Sequence, residues 1–310
     1  MLVPLIDRSR VTAIMVVALG LILAIVLPLA YVFCGAVAGF VTLRKGLSQG
    51  VVAAGGGLFV LGVIVASMGF PPGDGLLLPG CFLAASVMVA WSLEQTRSLS
   101  VAVWAATAVT VVGLLAFWLS IESPEAFWRG VFDELIQAAN QSDRSDLAQQ
   151  LETMSARLQW RGVTGQVFAI YFLMLITGLF WARSWQARLV NPSGFQQEFR
   201  LLKLGRPLAL MSAMAFMGAA AAGLDMALSV AAVLLYVWLI PAFSLIHWLV
   251  ARYELGRGWI WAAYVLCAMT LIGNNTLFLL FPLAGMLNEY VDFRRPPNGG
   301  RGGENPPQDE

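Results

Sequence analysis

VTAIMVVALGLILAIVLPLAYVFCGAVAGFVTL, residues 11–43, contains no Asp, Glu, Lys or Arg. As one helix its 33 residues would be about 50 Å long at ~1.5 Å per residue, against a bilayer hydrocarbon core of about 30 Å. Pro28 sits mid-run, where proline kinks or breaks a helix. The stretch is therefore either a tight hairpin of 11–27 and 29–43 or one steeply tilted, kinked span. Seven further charge-free runs follow, at 46–73, 75–93, 98–121, 162–182, 207–224, 226–251 and 258–288. A crossing needs about 20 mostly apolar residues, so the fold class is all-α, a polytopic transmembrane helical bundle. Composition agrees: 59% of the 310 residues are hydrophobic and 12% are charged, about half the share in a soluble domain, and mean hydropathy is +0.75. A soluble enzyme, a secreted disulfide scaffold and a nucleic-acid-binding domain are excluded, and a net charge of +1 points to no polyanionic partner.

Run 258–288 is also long for one crossing, and its weak point is Gly273-Asn274-Asn275, residue types that favour turns, with Pro282 beyond. Basic residues flank the runs at Arg8/Arg10, Arg44/Lys45, Arg97, Arg183–Arg206, Arg252/Arg257 and Arg294/Arg295. If all are cytoplasmic, as the positive-inside rule asks, an even number of crossings separates each neighbouring pair. The most consistent scheme has both termini cytoplasmic and up to ten passes. The last hairpin would have arms of only about 14 residues, ~21 Å, so a shallow re-entrant pair or one long tilted helix serves equally. The expectation is eight to ten membrane segments in a single transmembrane domain, 1–295.

Three segments lie outside the runs. Residues 121–161, with seven acids and four arginines, suit the non-cytoplasmic side and predict two amphipathic helices. Ser123-Pro124-Glu125 starts the first as N-cap, first-turn proline and acid at the positive dipole end. Phe127, Val131, Leu135 and Ala139 share one face, 140–145 form a break, and Leu147, Leu151, Met154 and Leu158 form a second stripe. This segment reads as a lid on the bundle or as a partner-binding coiled coil. Residues 191–206 predict a cytoplasmic in-plane helix, after Asn191-Pro192 ends the preceding one. Ser193 and Gln196 fit a capping box. Phe195, Phe199 and Leu202 form its apolar stripe, and Arg200 and Lys203 face the anionic leaflet or a docked partner. The tail 296–310, rich in Pro, Gly, Asn and charge, has the composition of a disordered segment.

Catalytic motifs are missing: no HExxH, phosphate loop or CxxC. Cys34, Cys81 and Cys267 lie inside apolar runs as small hydrophobes. His247 is the sole histidine, which excludes a His-rich metal site; beside Trp248 it reads as an interfacial anchor, and nothing marks Ser244, three residues earlier, as its nucleophile. No run carries Asp, Glu, Lys or Arg, which disfavours a proton- or sodium-coupled pump. Asp225 sits in a short turn between two runs. The strongest intramembrane polar cluster is Asn274, Asn275 and Thr276, whose groups in hydrocarbon must either cap a helix break or meet a polar ligand. No cofactor and no metal is expected, and no catalytic residue is assigned. Small-xxx-small pairs occur at Gly35/Gly39, Ala53/Gly57, Ala102/Ala106 and Gly218/Ala222.

Three stretches form a set: WARSWQARLVNPSGFQQEFRLLKLG at 181–205, LIHWLVARYELGRGW at 245–259 and NEYVDFRRP at 288–296. With the run pattern they resemble the YybS-like family of uncharacterised bacterial integral membrane proteins, distantly similar to the substrate-binding components of energy-coupling-factor vitamin transporters and to the cell-shape protein MreD. Members often carry an Asp where Asn288-Glu289 stands here. The resemblance implies a helical bundle in the bacterial inner membrane. It implies one of two non-enzymatic roles. The first is a small-molecule binding or transport component served by a separate energising module, with its pocket towards the outer side near 121–161, Asn274 and Asn275. The second is a membrane scaffold holding envelope or cytoplasmic partners through 191–206. Fold likeness does not decide between them.

Overall fold

The computed structural model describes residues 2–69, 71–273, 276–291, 293 and 294, all helices and short links with no strand among them. In chain order these are α1 (Leu2–Arg8), α2 (Arg10–Val26), α3 (Ala30–Lys45), α4 (Leu47–Ser67), α5 (Pro72–Thr96), α6 (Leu99–Ser120), α7 (Pro124–Gln141), α8 (Ser145–Arg157), α9 (Trp160–Val190), α10 (Gly194–Arg200), α11 (Arg206–Ala222), α12 (Asp225–Val237), α13 (Leu239–Arg252), α14 (Gly258–Ile272), a 3-10 turn (Thr276–Leu279) and α15 (Leu280–Leu287). Five helices are long and apolar enough to cross a membrane: α4, α5 from Gly75, α6, α9, and α12 with α13 as one rod, Asp225–Arg252. Shorter apolar helices stand at Arg10–Val26, Arg206–Ala221, Gly258–Leu271 and Thr276–Leu287.

Run 11–43 folds as a hairpin. α2 stops at Val26, directly before the Leu27–Leu29 turn that holds Pro28, and α3 returns antiparallel to it. The Cys34 thiol points at the Val17 carbonyl, 3.7 Å away, and a Cβ on Gly20 would sit 2.6 Å from the same sulfur. Run 258–288 is likewise not one helix, because α14 ends at Ile272 with Gly273 as its C-cap. Asn274, Asn275, Asp292 and the tail 296–310 lie outside the described residues.

α3 is the centre of the bundle, buried from Cys34 to Leu43. Apolar side chains gain nothing by leaving lipid tails for each other, so membrane helices associate where small residues let backbones approach. Cys34, Gly35, Ala36, Ala38 and Gly39 supply that surface. α9 packs so closely that a Cβ on Gly178 would lie 3.1 Å from the Val32 carbonyl oxygen. Further along α9, a Cβ on Gly165 would lie 2.8 Å from Ser229 Cα of α12. α9 thus ties α3 to α12. Its 31 residues, ~46 Å, overrun the apolar stretch and carry Arg183 and Gln186 to the end of the bundle.

Ion pairs tie the two ends of the bundle. At one end Asp7 meets Arg44 at 3.2 Å, Arg183 of α9 pairs with Glu198 of α10, and Gln186 Nε2 donates to the Leu43 carbonyl at 2.8 Å. At the other end Arg161 donates to Asp225 at 2.6 Å and to the Gly223 carbonyl at 2.8 Å, closing the α11–α12 turn. The α7–α8 hairpin belongs to this second end: Trp128 Nε1 donates to Thr164 Oγ1 at 2.9 Å and its ring stacks on Phe117. Ser123 caps α7 as the sequence predicts, accepting the Ala126 N–H at 3.3 Å. The capping box at Ser193 does not form. Ser193 has helical backbone angles (φ −93°, ψ −11°) and makes no side-chain cap bond, whereas an N-cap needs extended backbone to aim its oxygen at the first turn. Its hydroxyl contacts Asn191 Oδ1 instead, at 3.3 Å.

Candidate functional site

The three stretches that form a set in the sequence meet at the α10 end. Short α10 and the link 201–205 leave backbone groups that no helix satisfies, and an unpaired group buried here costs about 1–3 kcal/mol. Side chains from distant helices answer them. Glu289, after α15, accepts the N–H groups of Leu204 (2.9 Å) and Gly205 (3.1 Å). Trp104 of α6 donates its indole N–H to the Leu204 carbonyl at 2.9 Å. Ser244 of α13 lies 2.6 Å from the Phe199 carbonyl oxygen and 3.2 Å from that of Leu202. Arg294 reaches both the Leu202 carbonyl and the Ser244 hydroxyl, at 3.1 and 2.8 Å. The result is a polar hub that fixes α10 across the ends of α6, α9, α13 and α15.

This arrangement reassigns several residues. Ser244 is spent on the hub and makes no contact with His247, whose Nε2 lies 3.3 Å from the Tyr264 hydroxyl. Phe199 is buried, edge-on to Phe180 and His247, and Phe195 packs against Phe180 and Phe199. Both rings therefore face the bundle. Arg200 and Lys203 are half-buried beside them. Thr276 opens the 3-10 turn and is exposed, and with Asn274 and Asn275 outside the described residues no polar cluster with it can be drawn.

Beside the hub lies an open cleft of about 570 Å³ between α10, the end of α13 and the start of α14. Its polar lining is Gln196, Arg200, His247, Glu254 and Arg257, and Ile260, Trp261 and Tyr264 of α14 form an apolar wall. Local sequence builds this shape. α13 ends in a Schellman turn: Glu254 takes left-handed backbone (φ 52°) and the Leu255 N–H reaches back to the Val250 carbonyl at 2.9 Å. The turn satisfies a terminal carbonyl of α13, and α14 then starts at Arg257–Gly258, so the positive end of its dipole sits at the cleft. Among the described residues neither Arg200 nor Arg257 has an ion pair, and the Arg200 Nε is buried without a protein partner. Two uncompensated guanidiniums beside one carboxylate give the cleft an excess of positive charge.

A second cleft, about 340 Å³ and lined by α13, α14 and α15, has apolar side chains and Thr270 only. Both clefts are lined by α13 and α14, and α14 is otherwise scarcely covered: Trp259, Trp261, Val265, Leu266 and Met269 are all exposed. No group of three or more His, Cys, Asp or Glu suited to a metal ion occurs among the described residues. Of the cleft, sequence reading singled out Arg200 and His247. It named Gln196 only as a capping residue and Arg257 only as a flanking base and did not join them with Glu254, because α10 and the α13–α14 link meet only in the fold. The available signal was the Arg-rich link 252–257 inside the second recognisable stretch. Comparison with protein-family models, curated proteins and solved structures finds no match.

Proposed function

We propose that this chain is a non-enzymatic component of a bacterial inner membrane that binds a small anionic molecule in the α10–α13–α14 cleft. The observation that carries the reading is the pair Arg200 and Arg257, uncompensated in an open cleft of about 570 Å³ with an aromatic wall. That volume lies within the ~300–1,000 Å³ typical of small-molecule sites, and delocalised guanidinium suits carboxylate and phosphate. The breaks at Pro28 and Gly273 support an even number of crossings, with α2, α3 and α11 crossing beside the five longer spans and α14 with residues 276–287 forming a re-entrant pair. On that scheme α10, Arg44, Arg183 and Arg294 stand on the cytoplasmic side with both termini, and the α7–α8 hairpin lies outside. The site then opens inward, at the opposite end from the pocket near 121–161 that a vitamin-uptake likeness implies.

Binding in the cleft is tested by thermal denaturation of purified protein against a panel of phosphorylated and carboxylated small molecules. At least one should raise Tm in the parent protein, and Arg200→Gln with Arg257→Gln should abolish the shift. No effect from a panel that includes a short-chain anionic phospholipid, or an unchanged shift in the double variant, counts against the reading. A scaffold role through α10 has less support, since Phe195 and Phe199 are used inside the bundle.

A further inference from the structure

The chemical class of the ligand follows from where the cleft lies, and this step rests on the binding role just given. We propose that the cleft holds the phosphate of an anionic phospholipid from the adjoining leaflet. Four observations on different elements converge. Arg200 on α10 and Arg257 at the N-cap of α14 line the same cavity without a carboxylate partner. The first turn of α14 adds the positive end of a helix dipole, which favours phosphate. His247 and Gln196 supply further polar groups for headgroup oxygens or hydroxyls. The remaining wall is not that of a site for a wholly water-soluble anion. Ile260 and Tyr264 stand one turn apart on α14 with Trp261 beside them, and Trp261 is 71% exposed on a helix apolar on every face. A headgroup seated between the two arginines would run its acyl chains along that face.

The fit also has a physical logic within the fold. α14 touches α13 through few side chains, chiefly the Phe243–Tyr264 stack with centroids 4.2 Å apart. A wedge between α10 and α14 would supply contacts that the protein itself does not make there. Glu254, exposed on the rim, adds one negative charge to the two of Arg200 and Arg257, so these side chains leave a local excess of one positive charge. That matches one phosphodiester rather than a polyphosphate. The apolar cleft is not part of this site, because the two share no lining residue.

The test is native mass spectrometry of the full chain, extracted in mild detergent and exchanged with phosphatidylglycerol or phosphatidylcholine. The parent should retain one phosphatidylglycerol in preference to phosphatidylcholine. Arg200→Gln and Arg257→Gln should each weaken retention by roughly tenfold, one lost charged contact. Ala251→Trp, which fills the cleft without touching charge, should abolish it. Arg252→Gln removes an equal charge from an exposed residue that does not line the cleft and should leave retention unchanged. Equal retention of both lipids, or equal loss in Arg252→Gln and Arg200→Gln, overturns the lipid proposal. A parallel arm offers inorganic phosphate and glycerol phosphate in the thermal assay. Saturable stabilisation by these without lipid preference overturns the lipid and keeps the binding role; no response in either arm removes both.

Discussion

Glu289 accepts two backbone N–H groups of the α10–α11 link, whereas its neighbour Asn288, fully buried, has no partner for either amide atom among the described residues. Charged hydrogen bonds contribute about 1.5–3 kcal/mol each, and a buried unpaired polar group costs about 1–3 kcal/mol. Glu289→Ala should therefore lower the thermal midpoint in micelles strongly, by roughly 3 kcal/mol of stability. Asn288→Leu, similar in volume, should leave the midpoint unchanged or raised. A clear fall for Asn288→Leu would mean that its amide has a partner this account lacks. At this scale the sequence was partly readable. Thr107 and Thr110 bond back to their own helix carbonyls at 2.8 Å, as intramembrane threonines are expected to do. Ser212 does not: it accepts the indole N–H of buried Trp238 at 2.9 Å, a contact between residues 26 apart that no local pattern announces.

Helix pairs show which small residues matter. Of the four small-xxx-small pairs in the sequence, Gly35 and Gly39 meet α5 and α9, Gly57 meets Val17 of α2, and Ala102 and Ala106 are fully buried. Gly218 faces open space. The spacing alone could not separate these, because it records a stripe and not what lies opposite. A glycine outside these pairs gives a test against backbone atoms. A Cβ on Gly285 of α15 would collide with the Trp238 carbonyl oxygen and lie 2.9 Å from the Ala242 amide, both backbone atoms of the α12–α13 rod. Gly285→Ala should cost about 1–3 kcal/mol through overpacking. Gly218→Ala should be neutral or stabilise by up to about 1 kcal/mol from helix propensity. Thermal midpoints of the two variants, measured side by side, check this; equal effects would contradict the α13–α15 packing. Helix ends at Pro28, Ser123 and Asn191 were legible because they rest on backbone chemistry carried by one residue. The path of 191–206 was not, since its conformation is set by Glu289, Ser244 and Arg294 from elsewhere in the chain.

For the molecule as a whole, charge-free runs and arginine placement anticipated a helical bundle, and the hairpin at 11–43 matches the even-crossing argument. They did not anticipate that the polar hub and the cationic cleft would share one end, because residues 183, 200, 244, 257 and 289 converge only through the fold. The functional reading depends on that end being cytoplasmic. Cysteine labelling in intact cells tests it directly. In a Cys81→Ser background, Ser142→Cys marks the exposed α7–α8 turn and Gly256→Cys marks the exposed α13–α14 link, where an added Cβ meets nothing within 4 Å. A membrane-impermeant maleimide should label the Ser142→Cys protein at once and the Gly256→Cys protein only after the membrane is opened. Labelling of Gly256→Cys in intact cells would place the cleft outside and contradict the account.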